Sequence, residues 1–429
     1  MTIEVRDIPV INRISAHSHI RGLGIKEDGS VPHDSDGVVG QIRARKALHL
    51  LRKLVQDNRN SGRLVLMVGP SGSGKTALAV GLAQSLGSVP VTAISGCEIY
   101  SKETSKTESI TQALRRSIQI RIREDIKVVE GEVVDINVDR GFNGGKVTLK
   151  TTDMESVYEL GARMVEQMNK EKVTIGDVIS INKDSGKLIK LGKSRAGIKD
   201  YDALGPDVRF VPCPEGELLR IKEDIQTISL HDMDVINSRT QGYLALFSGM
   251  TGEIKPEIRE EIDKKVSDWV KEGKAEIIVG ITLIDEANML DLECFSFINK
   301  ASESPICPII ILSTNREKGV IRGTNEETRY GMPRDLLDRM LVIGTDSYTE
   351  EDLKKILEIK AEEEDIKIQN DVMEQLVRIA MECGLRYALN ILTISHIRAN
   401  KRNKVLEVVD VQRVYEIFLD EVRGCKLYN

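Results

Sequence analysis

Aromatic side chains are scarce: they make up 4% of the 429 residues, and Trp269 is the single tryptophan. So few stacking platforms argue against a surface that holds nucleic acid mainly through base stacking. Cysteines are few and dispersed. Cys97, Cys213, Cys294, Cys307, Cys383 and Cys425 form no C-x-x-C pair, which excludes a disulfide framework and an ordinary zinc site and points to a reducing compartment. Long hydrophobic runs are missing too: no stretch of about 18 apolar residues occurs. The opening Met-Thr-Ile-Glu-Val-Arg-Asp-Ile-Pro lacks the shape of a signal peptide. A soluble, intracellular protein with no membrane contact is expected. Positive charge is in deficit, with 61 Lys and Arg against 67 Asp and Glu and a net charge of −6. Bulk charge therefore does not draw the chain to nucleic acid, and only a local basic patch could.

What the chain has is charge and length. Charged residues make up 30%, which with so few aromatics suits a helix-rich protein with solvated faces. At about 100–200 residues per domain, two to four domains are expected.

The most informative stretch is Gly69-Pro70-Ser71-Gly72-Ser73-Gly74-Lys75-Thr76. It follows the apolar run Leu64–Val68 and leads straight into Ala77-Leu78-Ala79-Val80. Strand, glycine-rich turn and helix start form the context of a phosphate-binding loop. The glycines let backbone N–H groups wrap phosphates, and the helix adds its positive dipole end. Lys75 can reach the β- and γ-phosphates, and Thr76 can ligate Mg²⁺. A nucleoside triphosphate, ATP or its product ADP, is the expected ligand.

The second half of such a site lies far along the chain. Ile281-Thr282-Leu283-Ile284-Asp285-Glu286 is an apolar strand ending in two acids. Asp285 suits the metal shell, and Glu286 suits the activation of water. Thr76 and Asp285 are 209 residues apart. Two β-α-β units need only about 60, so roughly 150 residues are spliced between them. The interruption, from Lys127 to about Ile236, alternates short strands with turns at Asn143-Gly144-Gly145 and Asp184-Ser185-Gly186, the pattern of a small all-β barrel of the oligonucleotide-binding type. Lys183, Lys187, Lys190, Lys193, Arg195 and Lys199 form either a backbone-contacting stripe for DNA or RNA or a solvated charged face. Residues 110–122 and 256–272 read as helices flanking it.

The run from Pro308 to Asn315 reads as another buried strand, with Asn315 at the end that borders the ligand crevice. The last eighty residues are helical. They open on the capping box Thr349-x-x-Asp352, and a last helix is expected after Asp410 with Val411, Val414, Phe418 and Val422 on one face. The fold class is therefore α/β: a P-loop ATPase core (1–122 and 274–346), an inserted β domain (123–273) and an α-helical lid (347–429). From composition alone, residues 13–24 read as a polar arm and Arg386 as a surface arginine.

Together these pieces resemble the RuvB-like AAA+ ATPases, and the likeness runs from about Ile11 to Val422. It rests on His17-Ser18-His19-Ile20-Arg21-Gly22-Leu23-Gly24, the phosphate loop, Ser105-Lys106-Thr107-Glu108, residues 236–242, Ile321-Arg322-Gly323-Thr324, Leu336-Leu337-Asp338-Arg339 and Leu385-Arg386-Tyr387. Residues 244–249 and Ser296-Phe297-Ile298-Asn299 resemble the reptin-type branch. The resemblance implies that His17, His19, Gly22, Leu23, Val38 and Val39 hold base and sugar. It makes Asn315 and Arg386 nucleotide sensors, and Arg339 an arginine finger presented to the neighbouring subunit. It also implies a heterohexamer or dodecamer with a pontin-type paralogue, ring-to-ring contact through the insertion, chromatin-remodelling and chaperone complexes as partners, and a place in the nucleus and cytoplasm.

The chain departs from the family pattern at three places. Asp285-Glu286-Ala287-Asn288-Met289 has Asn288 where the family has His, Arg329-Tyr330-Gly331-Met332-Pro333 replaces Pro-His-Gly-Ile-Pro, and Ser71 and Ser73 replace Pro and Thr. None removes a phosphate-site group, so hydrolysis is expected to be retained. Two uses of it are expected: the family-associated DNA helicase, or a nucleotide-gated assembly scaffold. The acidic balance and aromatic poverty favour the scaffold.

Overall fold

The computed structural model describes residues 17, 19–26, 29–56, 62–87, 89–101, 104–138, 144–183, 186–194, 210–240, 253–402 and 406–426. The turn residues Asn143, Asp184 and Ser185, the basic residues Arg195 and Lys199, and the segments 11–16 and 244–249 lie outside them. Two compact units divide the chain: Met1–Ile120, Ile228–Lys265 and Ile277–Asn429 form one, and Arg121–Thr227 with Val266–Glu276 form the other.

The first unit is built on five parallel strands, β1 (Leu64–Val68), β2 (Val91–Ser95), β3 (Ile281–Asp285), β4 (Ile309–Thr314) and β5 (Met340–Gly344), in the order β5-β1-β4-β3-β2. The continuous apolar runs of β1 and β4 suit a sheet covered on both faces. Successive side chains do point to opposite cores. Val65, Met67, Leu283 and Ile311 pack with Leu48, Leu78 and Leu82 of the helices α1 (Ile42–Gln56) and α2 (Lys75–Leu86). Leu64, Leu66, Ile284 and Ile310 pack with Ile110, Phe295 and Ile298 on the other side. Because every strand runs the same way, Gly69, Gly96, Glu286, Asn315 and Thr345 all follow a strand at the same edge of the sheet, where α/β folds bind ligands.

The segment 228–265, placed in the insertion from its position in the sequence, groups with this unit. Arg115 explains why: its guanidinium grips Asp234 at 2.5 Å and Asp263 at 2.9 Å, while Arg259 reaches Glu108 at 2.5 Å. The helix expected over 110–122 is corrected as well. It spans Lys106–Arg116, capped by Ser105, and Ile118 starts a long strand, Ile118–Val138. The alternation of Ile118, Ile120 and Ile122 has a period of two, which a strand satisfies and a helix does not.

The second unit is a β-sheet domain. The strands Phe210–Val211, Leu188–Ser194, Asp177–Asn182, Ile118–Val138, Gly144–Lys150 and Glu155–Gly161 follow one another in that order, and Leu219–Ser229 also pairs with the long strand. One helix interrupts the strand pattern, Ala162–Lys170, whose Met164, Val165 and Met168 pack on Val133, Leu149 and Leu160.

Among the described residues the lid has four longer helices, α3 (Glu350–Glu363), α4 (Asn370–Cys383), α5 (Leu385–Lys401) and α6 (Val408–Ile417), around Leu357, Leu376, Leu392 and Val411, and a short fifth, Glu421–Cys425. The Thr349 and Asp352 capping box is present. The helix expected after Asp410 is corrected: Asp410 lies within the first turn of α6, paired with Glu407 in a second capping box, and α6 stops before Phe418, so that Val422 falls in the separate short helix Glu421–Cys425. Among the described residues, no helix is long and apolar enough to cross a membrane.

Candidate nucleotide site

The phosphate loop joins β1 to α2, so Gly69, Pro70, Ser71, Gly72, Ser73 and Gly74 lie directly before the N-terminus of the helix that holds Lys75, Thr76 and Ala77. Gly74 is left-handed (φ 82), and a Cβ there would lie 2.2 Å from the Tyr348 hydroxyl, so only glycine fits. The Lys75 ammonium donates to the carbonyls of Gly69 (2.9 Å) and Pro70 (2.8 Å). Burial lowers its proton affinity, against the pull of Asp285 and with the push of Arg386.

Asp285, at the end of β3, meets this loop. The Thr76 hydroxyl donates to Asp285 Oδ2 at 2.8 Å, the Ser313 hydroxyl to Oδ1, and the Glu286 backbone N–H to Oδ1 at 2.9 Å. Burial alone would raise the Asp285 carboxyl, but these hydrogen bonds and Lys75 hold it below the ordinary carboxylate range. An ionised carboxylate beside a hydroxyl is a hard oxygen pair, and Thr76 and Asp285 fit Mg²⁺ on that ground. Glu286 is exposed on a left-handed backbone (φ 54, ψ 43), with Cys97 Sγ 3.6 Å from Oε2. A positive φ at a non-glycine residue beside such a pair is the kind of strain that collects at working sites.

The arm and lid border the same place. His17 is influenced by His19, Arg386, Lys360 and Asp285, and burial lowers its proton affinity most. His19 lies 3.6 Å from Glu363, and burial outweighs that carboxylate's pull. Lys360 of α3 in turn pairs with Glu363 at 2.8 Å. Arg386, in the first turn of α5, acts electrostatically on both His17 and Lys75. Thus Thr76 and Asp285 meet beside Lys75, and His17 and Arg386 lie within electrostatic reach of them. Gly22, Leu23, Val38 and Val39 are buried, and Leu23 and Val38 pack in the core against α2. Asn315 is exposed just past β4. Arg339 is the outlier: its Nη1 pairs with Glu303 at 2.8 Å, and no contact among the described residues joins it to this group.

Sequence reasoning overlooked what holds the arm. Arg45 of α1 is fully buried, and its guanidinium donates to the carbonyls of Leu23 (2.8 Å), Gly24 (2.6 Å), Pro32 (2.8 Å) and Gly40 (3.3 Å). An arginine inside an amphipathic helix carries no signal of that. Arg45→Met should strand these carbonyls and cost about 3–5 kcal/mol, measured by denaturant unfolding.

The two arm histidines give a pH dependence. The unfolded chain binds protons near the ordinary histidine value of 6.5, while the buried rings resist them. Their contribution to stability is therefore complete above about 6.5 and is lost as the pH falls. Melting curves from about pH 7.5 to about pH 5.5 should show a decline that is shallower in the His17→Gln, His19→Gln double variant.

The chain matches the TIP49 P-loop domain over residues 13–351 and the TIP49 AAA-lid domain over residues 356–420. The two matches cover the nucleotide fold, the insertion and the lid helices. By fold, by the nucleotide loop and by these matches, the chain belongs to the TIP49 family of RuvB-like AAA+ ATPases.

Proposed function

We propose that the chain hydrolyses ATP to ADP and phosphate as a subunit of a ring, and that its nucleotide state serves the assembly of larger protein complexes. The observation that carries the reaction is the joining of Thr76 to Asp285 across 209 residues, with Glu286 next in the chain. In this reading Glu286 takes the proton of a water whose oxygen attacks the γ-phosphorus, while the bond to the β-phosphate oxygen breaks. Lys75 exchanges its loop carbonyls for phosphate oxygens, and Arg386 closes over them from the lid. Thr76 and Asp285 would hold Mg²⁺, which would supply positive charge to the phosphates. Asn315 orients the water or the γ-phosphate. His17 and His19, with Gly22, Leu23, Val38 and Val39, hold base and sugar.

Arg339 is assigned to the pocket of the neighbouring subunit, which makes the ring the catalytic unit. The chain is read as the reptin-type member, working with a pontin-type paralogue in a heterohexamer or dodecamer. Chromatin-remodelling and chaperone complexes are its proposed setting, in the nucleus and the cytoplasm. The DNA helicase reading has less support. Within the basic stripe Lys190 is tied to the buried Asp177 at 2.7 Å, leaving Lys183 and Lys187 as the exposed cations among its described residues.

Purification with and without the paralogue, followed by mass determination and an ATPase assay, tests this reading. Rings that hydrolyse ATP at a rate indifferent to DNA or RNA are expected. Strong stimulation by nucleic acid that fades with salt would favour the helicase, and monomers without turnover would refute both.

A further inference from the structure

The segment between β5 and the lid, residues 345–349, touches the phosphate loop twice. Thr345 is buried, and both its backbone N–H (2.8 Å) and its hydroxyl (3.2 Å) donate to the Val68 carbonyl, the last residue before the loop. Its Oγ1 lies 2.7 Å from Ser73 Oγ, itself buried, and Ser73 Oγ accepts from Lys75 Nζ at 3.4 Å. Donor and acceptor capacities give one consistent direction: Lys75 to Ser73, Ser73 to Thr345, Thr345 to Val68. The fit leaves no slack. A Cβ on Gly69 would lie 2.0 Å from Thr345 Oγ1, and Tyr348 closes over Gly74 three residues further on. The next residue is clasped from the arm side. The Gln41 amide donates to the Asp346 carbonyl at 2.6 Å and accepts from its N–H at 3.1 Å, and Gln41 itself holds a left-handed backbone (φ 50).

We infer that Thr345 is a positioning residue, through which phosphate-loop occupancy sets the hold of the lid hinge and hence the rate of nucleotide release. The inference rests on the ATPase reading above. When Lys75 takes up a phosphate it gives up the loop atoms that now satisfy it, Ser73 Oγ among them. The Ser73 and Thr345 hydroxyls are the next links, and Thr345 sits where the sheet ends and the lid begins. Losing nucleotide restores the Lys75 bond to the loop. A hinge that shares a hydroxyl with the loop therefore distinguishes the two states, whereas one that merely packed against it would not.

Release of a fluorescent ADP analogue, followed by stopped flow on the full-length protein in its ring, tests this. Thr345→Val keeps the shape and removes the hydroxyl, and it should release ADP about 3–10-fold faster, as loss of one hydrogen bond implies. Thr345→Ser should restore the slow rate. Ser73→Ala should be fast as well, and the Ser73→Ala, Thr345→Val double variant should be no faster than either single one, because both break the same link. Wild-type release from Thr345→Val, or full additivity in the double variant, would overturn the inference. Should Thr345→Val fail to fold, Ser73→Ala compared with Ser73→Thr carries the same comparison, fast against slow. If the wild-type protein bound no ADP analogue, the ATPase reading itself would fall. If it bound and the variants matched it, only the hinge role would.

Discussion

Glu286→Gln is expected to retain ATP while its hydrolysis rate falls by ~10²–10⁴-fold, the usual share of a positioned general base. The substitution keeps size and hydrogen-bonding reach but removes the carboxylate that accepts the proton. Binding should survive because the contacts that shape the phosphate site run through Asp285 instead: Thr76, Ser313 and the Glu286 backbone N–H all donate to it. Glu286 is exposed beyond them, its side chain approached by the Cys97 thiol at 3.6 Å. Single-turnover hydrolysis together with an ATP titration checks this. Unchanged turnover would remove Glu286 from the reaction, and lost binding would make it part of the site's framework.

Arg339→Ala should lower turnover by ~10³–10⁵-fold, the range of an arginine finger acting on a neighbour's phosphate. In the single chain Arg339 follows the short helix Arg334–Leu337 and pairs with Glu303, both side chains at least half exposed. Such a surface pair contributes at most about 1 kcal/mol, so it offers little resistance to Arg339 turning towards a partner. The decisive form of the experiment mixes subunits. On the proposed assignment an Arg339→Ala subunit would have an intact pocket and no finger, whereas a Lys75→Ala subunit would have a finger and no pocket. Mixed rings should regain part of the lost activity, since the intact pocket then meets the intact finger. Absence of any regain, in rings shown to be mixed, would contradict the assignment.

The Glu286 effect is foreseeable because that residue closes a contiguous string, whereas Arg339 owes its assignment to the family resemblance. Eight residues spanning Gly69 to Thr76, between an apolar strand and a helix, carry the whole logic of a phosphate site, and Asp285-Glu286 closes an equally legible strand. The central strands β1, β3 and β4 follow from their apolar runs, whereas the half-exposed edge strand β5 is not read from the sequence. What stays hidden is the work of single side chains acting across distance. Ser73 and Thr345 meet over 272 residues, and nothing local to either marks the pairing. Arg45 gathers a web of backbone partners that no periodicity announces. Lys190 reads as part of a free basic stripe, and no neighbour in the sequence signals the Asp177 it pairs with. The helix boundary at Arg116 is legible, although the expected helix passes over it: Ile118, Ile120 and Ile122 alternate with a period of two, the mark of the strand that starts there. The match to TIP49 domains carries the family but leaves individual roles, Arg339 and Asn315 among them, to experiment.

The central claim is that one nucleotide pocket is assembled from the loop at Lys75, the strand end at Asp285, the lid at Arg386 and the arm at His17. Calorimetric titration of ADP into the wild-type protein and into Lys75→Ala tests it most directly. Lys75 should be worth at least ~10²-fold in affinity, as two charge-assisted hydrogen bonds to phosphate would be. One site per chain, weakened to that extent by Lys75→Ala, is the result this account predicts. Equal affinity in the two proteins, or no binding to the wild type, would contradict it.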